Sequence, residues 1–163
     1  MVVEIFKDYE YCQNCAGYGD DFDDIHCCCK NCVGSYGYDT GLVHLAFLQA
    51  HKNHDYKFRH GCVIFSGNNV ISRGYNRRQF HPLLRKYGYK WAWLHAESDA
   101  IIRALKARKH LEGATSLGVR AGKTKLCNSK PCANCIAMME AVGIREVLYS
   151  AEDGSIERVL LRE

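Results

Sequence analysis

Leu94-His95-Ala96-Glu97 and, further along, Ser129-Lys130-Pro131-Cys132-Ala133-Asn134-Cys135 are the stretches whose reading decides the fold of this chain. His95, Cys132 and Cys135 are donors that suit a tetrahedral zinc ion, and three protein ligands leave a fourth position for water. Glu97 stands two residues beyond His95, able to reach that water without being a ligand itself. Both groups are expected to open helices, whose N-termini carry about +0.5 of an elementary charge and favour the thiolate forms of the cysteines. Two thiolates and a neutral imidazole balance the ion's charge, and such a site still lowers the pKa of bound water toward neutrality. Glu97 is then the group that moves the water's proton. Ala96 is small, so its backbone can come close to a flat group bound beside the site. A closed structural zinc site would need a fourth protein ligand. Cys127 is the nearest in sequence, and such a site gives no reason for Glu97 beside His95.

Working outward, the helix from His95 carries Ile101, Ile102, Ala104 and Leu105 at helical spacing, with Arg103, Lys106 and Lys109 more exposed. Leu42, Leu45, Ala46, Leu48 and Ala50 predict an earlier helix over residues 40–54. Residues 60–66 and 70–76 read as two strands of a hairpin about Gly67-Asn68-Asn69. A long loop, residues 77–93, follows. Residues 115–121 read as a strand, Pro131 as the first residue of a second helix and Gly143 as its left-handed stop. Residues 144–150 are a strand and 156–161 offer one more. This alternation predicts an α/β fold of three layers, α/β/α, about a mixed sheet.

The chain has 163 residues, 47% of them hydrophobic and 25% charged, which suits one globular domain with a real core. No apolar run approaches the roughly 20 residues of a membrane helix, and the N-terminus lacks a signal-peptide pattern. The expectation is a cytoplasmic protein, in the host cytoplasm if viral, with no membrane partner. Ten cysteines in a reducing compartment point to metal before disulfides. Charge is uneven: residues 1–32 hold seven acids against Lys7 and Lys30, whereas the remainder holds twenty bases and eleven acids. A basic body suits a nucleotide or polynucleotide, and equally a solvated surface.

Residues 1–36 form a cysteine-rich segment ahead of a catalytic domain over 37–163. Cys12-x-x-Cys15 and Cys29-x-x-Cys32 predict a second, structural zinc ion, with His26, Cys27 and Cys28 as alternative ligands. An acidic segment of this size buries little core by itself, so a structural role leads over recognition of phosphate.

From Arg59 onward the chain resembles the cytidine and deoxycytidylate deaminase superfamily, and within it the dCMP-type deaminase-like proteins of phages and other viruses. The residues that carry the resemblance are Arg73-Gly74-Tyr75-Asn76, His81-Pro82, Leu94 to Glu97, Ser129 to Cys135, and Gly143 to Ser150 with Asp153-Gly154. The pairing of His-x-Glu with Pro-Cys-x-x-Cys is the signature of zinc deaminases acting on nucleobases. The resemblance implies a cytidine-deaminase-like fold with a mixed five-stranded sheet, ligands His95, Cys132 and Cys135, and Glu97 as proton shuttle. It implies attack on the ring carbon bearing the exocyclic amine, with Asn76 bonding the sugar and Ser129 beside the substrate, and it suggests a homo-oligomer. By itself Asn76 reads equally as a strand-end turn residue. Arg77-Arg78 depart from the glycine-containing loop usual after Gly-Tyr-Asn; they are candidate forked donors to a nucleotide phosphate, or solvated.

Tyr87, Tyr89, Trp91 and Trp93 alternate among basic residues. They read as a pocket wall or subunit contact, or as a stacking platform for a single strand. The expected function is zinc-dependent hydrolytic deamination of a free cytosine nucleotide, dCMP-like, to its uracil counterpart and ammonia. The alternatives are deamination of cytosine or adenine within single-stranded DNA or RNA, and a catalytically silent zinc scaffold.

Overall fold

A computed structural model describes residues 38–54, 57–90, 93–123 and 126–161. The elements are α1 (Tyr38–His51), β1 (Arg59–Ser66), β2 (Asn69–Tyr75), a short α2 (Leu83–Lys86), α3 (Ala96–Lys106), β3 (Thr115–Ala121), β4 (Leu126–Cys127), α4 (Ala133–Ala141), β5 (Glu146–Ser150) and β6 (Ile156–Leu160). The sheet runs β2-β1-β3-β5-β6, and the two-residue β4 pairs with the end of β3. Among the described residues only β3 and β5 pair in parallel; the other pairings are antiparallel. This is the expected mixed five-stranded sheet, enlarged by a short strand that the sequence did not announce.

Alternation along β1 builds the layers, because successive side chains point to opposite faces. Val63 and Phe65 join Leu42, Val43, Leu45 and Ala46 of α1 on one face. Cys62 and Ile64 join Ala100, Ile101, Met138 and Met139 of α3 and α4 on the other. Two glycines set how close the helices lie. A methyl group on Gly61 would fall 1.9 Å from the Ala46 carbonyl oxygen of α1, and one on Gly74 would fall 2.4 Å from both the Ala100 nitrogen and the Ala96 oxygen of α3.

The 77–93 stretch is more structured than a loop. Arg77 and Leu94 exchange two backbone hydrogen bonds of 3.0 Å, and α2 lies between them with Leu84 fully buried. Pro131 is displaced from its expected position: Cys132 is the N-cap of α4 and Pro131 precedes it. Gly143 stops α4 at φ +83°.

Candidate active site

His95 and Cys132 are N-caps, each with extended backbone (φ −76°, ψ 160° and φ −73°, ψ 164°), and neither side chain caps its own helix. Both are therefore free to turn toward each other across the gap between α3 and α4. Cys135, a turn further along α4, is buried beneath them. His95 Nδ1 lies 3.6 Å from the Cys132 sulfur and 3.4 Å from the Cys135 sulfur, and all three donor atoms lie within 4.8 Å of one another. Ideal tetrahedral zinc, with bonds of about 2.05 Å to nitrogen and 2.3 Å to sulfur, gives a nitrogen–sulfur edge of about 3.5 Å. The donor set fits the ion in type and spacing. Among the described residues no fourth His, Cys, Asp or Glu joins the cluster; Cys127, on β4, stands outside it.

Electrostatics follow from this crowding. The Cys132 thiol is pushed down to about 3, chiefly by its hydrogen bond with Cys135 and further by His95. Cys135 is raised by its bond to Cys132 and by burial. The first thiolate thus forms at Cys132, and a second at Cys135 requires a cation to offset it. Glu97 occupies the first turn of α3 and is 7% exposed. Burial raises its pKa, and its Oε2 accepts from the Cys135 thiol at 3.6 Å. Below it lies Gly118 of β3, where a methyl group would touch Glu97 Oε1 at 3.8 Å and Ser129 Oγ at 3.9 Å.

The remaining expected site residues are placed as follows. Ser129 is buried, donates to the Gly118 carbonyl at 2.8 Å and accepts from the Ser150 amide at 2.9 Å, so it ties the segment between β4 and α4 to β3 and β5. Asn76 donates to the Phe58 carbonyl and accepts from the His60 amide, both at 2.8 Å. Its amide group keeps one further donor hydrogen. Arg77 is bound to Asp99 at 2.7 Å, whereas Arg78 is exposed. Ala96 is buried at the start of α3 beside His95. Tyr87 and Tyr89 are packed against the core and Trp93 is 40% exposed. Trp91 and the cluster Cys12, Cys15, His26, Cys27, Cys28, Cys29 and Cys32 lie outside the described residues.

Two groups escaped the sequence reading. Asp99 is fully buried and takes Arg77, Arg103 (2.9 Å) and the Tyr75 amide (3.2 Å), which clamps the first turn of α3 to the end of β2. Its only sequence signal is an acid in a first helical turn. The other is the pair His60 and Arg120, directly opposed on β1 and β3. They share the face of Gly118, since they lie an even number of residues from Cys62 and Gly118. The Arg120 guanidinium covers the Phe58 ring at 4.4 Å. A period-two pattern with a cation at a strand end would have flagged it.

His60 is held neutral, its pKa lowered to about 4 by burial first and then by Arg120 and His95. Between pH 6.5 and pH 4 the unfolded chain takes up a proton that the folded protein refuses, so stability present above pH 6.5 is lost as pH falls. Urea unfolding at saturating zinc is expected to register a loss of about 2 kcal/mol from pH 7 to pH 5 that His60→Gln removes. Equal losses in both proteins would contradict this assignment.

Residues 38–151, well over half of the chain, match the family model of the cytidine and deoxycytidylate deaminase zinc-binding region. The match takes in α1, ahead of Arg59. Deoxycytidylate deaminase of Schizosaccharomyces pombe is 28% identical over 127 residues, covering 69% of this chain and 36% of that protein. The chain thus spans about a third of that relative's length. The dCMP deaminase of cyanophage S-TIM5, in apo form, superposes with a TM-score of 0.52 at 19% identity, over 69% of this chain and 81% of its own. Cytidine deaminase from Burkholderia pseudomallei gives 0.54 at 21%, over 74% and 91%. At such identities the likeness speaks for the three-layer fold. No helix among the described residues is long and apolar enough to cross a membrane.

Proposed function

The chain belongs to the cytidine and deoxycytidylate deaminase zinc-binding family, and from that premise we propose that it hydrolyses a cytosine nucleotide, dCMP-like, to the uracil nucleotide and ammonia. One observation carries the reading: a buried carboxylate, Glu97, adjoins a His/Cys/Cys donor triangle with no fourth protein donor among the described residues.

In this reading His95, Cys132 and Cys135 hold zinc, which when bound supplies Lewis-acid activation of a water molecule. Glu97 accepts the water's proton and delivers it to the ring nitrogen beside the carbon under attack. It then carries the second proton to the departing amine, so that water and amine exchange with no net change in oxidation state. The Ala96 backbone lies against the base. Asn76 offers its remaining amide hydrogen to the sugar, and Ser129 keeps the floor at Gly118 in place. For the phosphate, Arg78 and Arg120 are the available forked donors, because Arg77 is occupied by Asp99.

Purified protein is expected to release ammonia from dCMP faster than from deoxycytidine. Arg120→Ala should raise KM for dCMP by about tenfold, the loss of one charge-assisted hydrogen bond, and leave deoxycytidine unaffected. Absence of turnover on every free cytosine nucleotide and nucleoside would overturn the reading. A single-stranded DNA or RNA substrate draws on the basic body of the chain. It loses support from the inward packing of Tyr87 and Tyr89, since a stacking platform needs exposed rings. A silent scaffold leaves the burial of Glu97 beside the donors without a reason.

A further inference from the structure

The two inward rings of the aromatic stripe differ in what they reach. The Tyr89 hydroxyl lies 2.9 Å from the Cys135 sulfur, closer to it than His95 Nδ1 at 3.4 Å or Glu97 at 3.6 Å. The Tyr89 ring also meets the His95 imidazole edge-to-face, with centroids 5.2 Å apart and planes at 83°. One side chain thus touches two of the three donors.

Its backbone is fixed for that task. Leu84, fully buried, accepts hydrogen bonds from the amides of both Tyr87 and Tyr89 at 3.1 and 3.2 Å. Gly88 turns the chain between them at φ +81°, a conformation costly for other residues. A methyl group there would lie 3.3 Å from Asn134 Oδ1 in the first turn of α4. The turn therefore rests on the core at one end and on the cysteine helix at the other.

We propose that Tyr89 is the positioning residue of the metal centre: its hydroxyl donates to the Cys135 sulfur while its ring braces the His95 imidazole. The inference rests on the zinc reading of the site. A thiolate ligand is electron-rich and, when buried, gains from a hydrogen-bond donor that disperses its charge. A phenol, which has one hydrogen to give, supplies it. Groups that orient ligands from outside the ligand set are worth 10- to 100-fold in metal affinity as a rule.

The test measures metal binding without turnover. Zinc affinity is determined by chelator competition for the full chain, Tyr89→Phe, Tyr89→Leu and the control Tyr87→Phe. The cobalt-substituted proteins are compared through the thiolate-to-metal charge-transfer band. Tyr89→Phe keeps the ring and deletes the donor; it is expected to weaken zinc binding at this centre by about 10-fold or more and to shift the band. Tyr89→Leu is expected to lose more, and Tyr87→Phe to match the parent. Unchanged affinity and band in Tyr89→Phe, with the parent binding zinc tightly, would overturn the proposal and leave the deaminase reading standing. A parent protein whose His95, Cys132 and Cys135 take no zinc would overturn both. Unaltered far-UV circular dichroism at saturating zinc separates the effect from misfolding.

Discussion

Glu97→Gln is expected to lower deamination of a cytosine nucleotide by about 10²- to 10⁴-fold, the usual contribution of a positioned acid–base group. The substitution conserves shape and volume while removing the ability to accept a proton. Glu97 sits in the first turn of α3, 7% exposed, with burial raising its pKa. A carboxyl group in that setting takes a proton from water and gives it up to a better base within one cycle. Gln can do neither. Zinc content and thermal stability should match the parent, because Glu97 lies outside the donor triangle. Ammonia release is the measurement. A variant that keeps a tenth or more of the parent rate at equal zinc content would remove Glu97 from the chemistry.

The second large effect is on structure. Gly74→Ala is expected to destabilise the protein by about 3 kcal/mol or more, at the upper end of overpacking costs. The added methyl would meet backbone atoms of Ala96 and Ala100 at 2.4 Å and the Ala100 Cα at 2.9 Å. No rotamer change can relieve a clash with backbone, so α3 must move away from β2. That movement carries His95 and Glu97 with it and breaks the approach of Asp99 to the Tyr75 amide. Gly61→Ala makes an equally severe clash, but with α1 on the opposite face. The pair forms an internal control. Both should unfold at lower denaturant, while among the molecules that stay folded only Gly74→Ala should bind zinc more weakly. Equal zinc affinity in the two would show that α3 does not transmit the shift.

The donors, the carboxylate and the strand alternation were legible because each depends on short-range pattern: a cap position, a period of two, a pair of residues one turn apart. Gly143 was legible for the same reason. What escaped depends on pairings that only the folded chain creates. Arg77 reads as free cation until β2 brings it to Asp99, 22 residues away. Asn76 reads as a turn or a sugar contact, yet its side chain closes the start of β1. Alternating aromatics around Tyr89 mimic an exposed strand, yet Tyr87 and Tyr89 both pack against the core, with a glycine at positive φ turning the chain between them. Pro131 was misplaced by two positions, since a proline just outside the N-cap and one just inside it look alike in sequence.

The donors come from two helices separated along the chain, and the positions of that separation bear on the unfolded state. A metal ion gripped by His95 and Cys135 closes a loop of about 40 residues, and removing the conformational freedom of such a loop is worth about 4 kcal/mol in the chain-entropy treatment of cross-links. The loop contains the whole of α3, β3 and β4. An ion held there would double as a staple on β3 and β4 and on the two helices that present its donors.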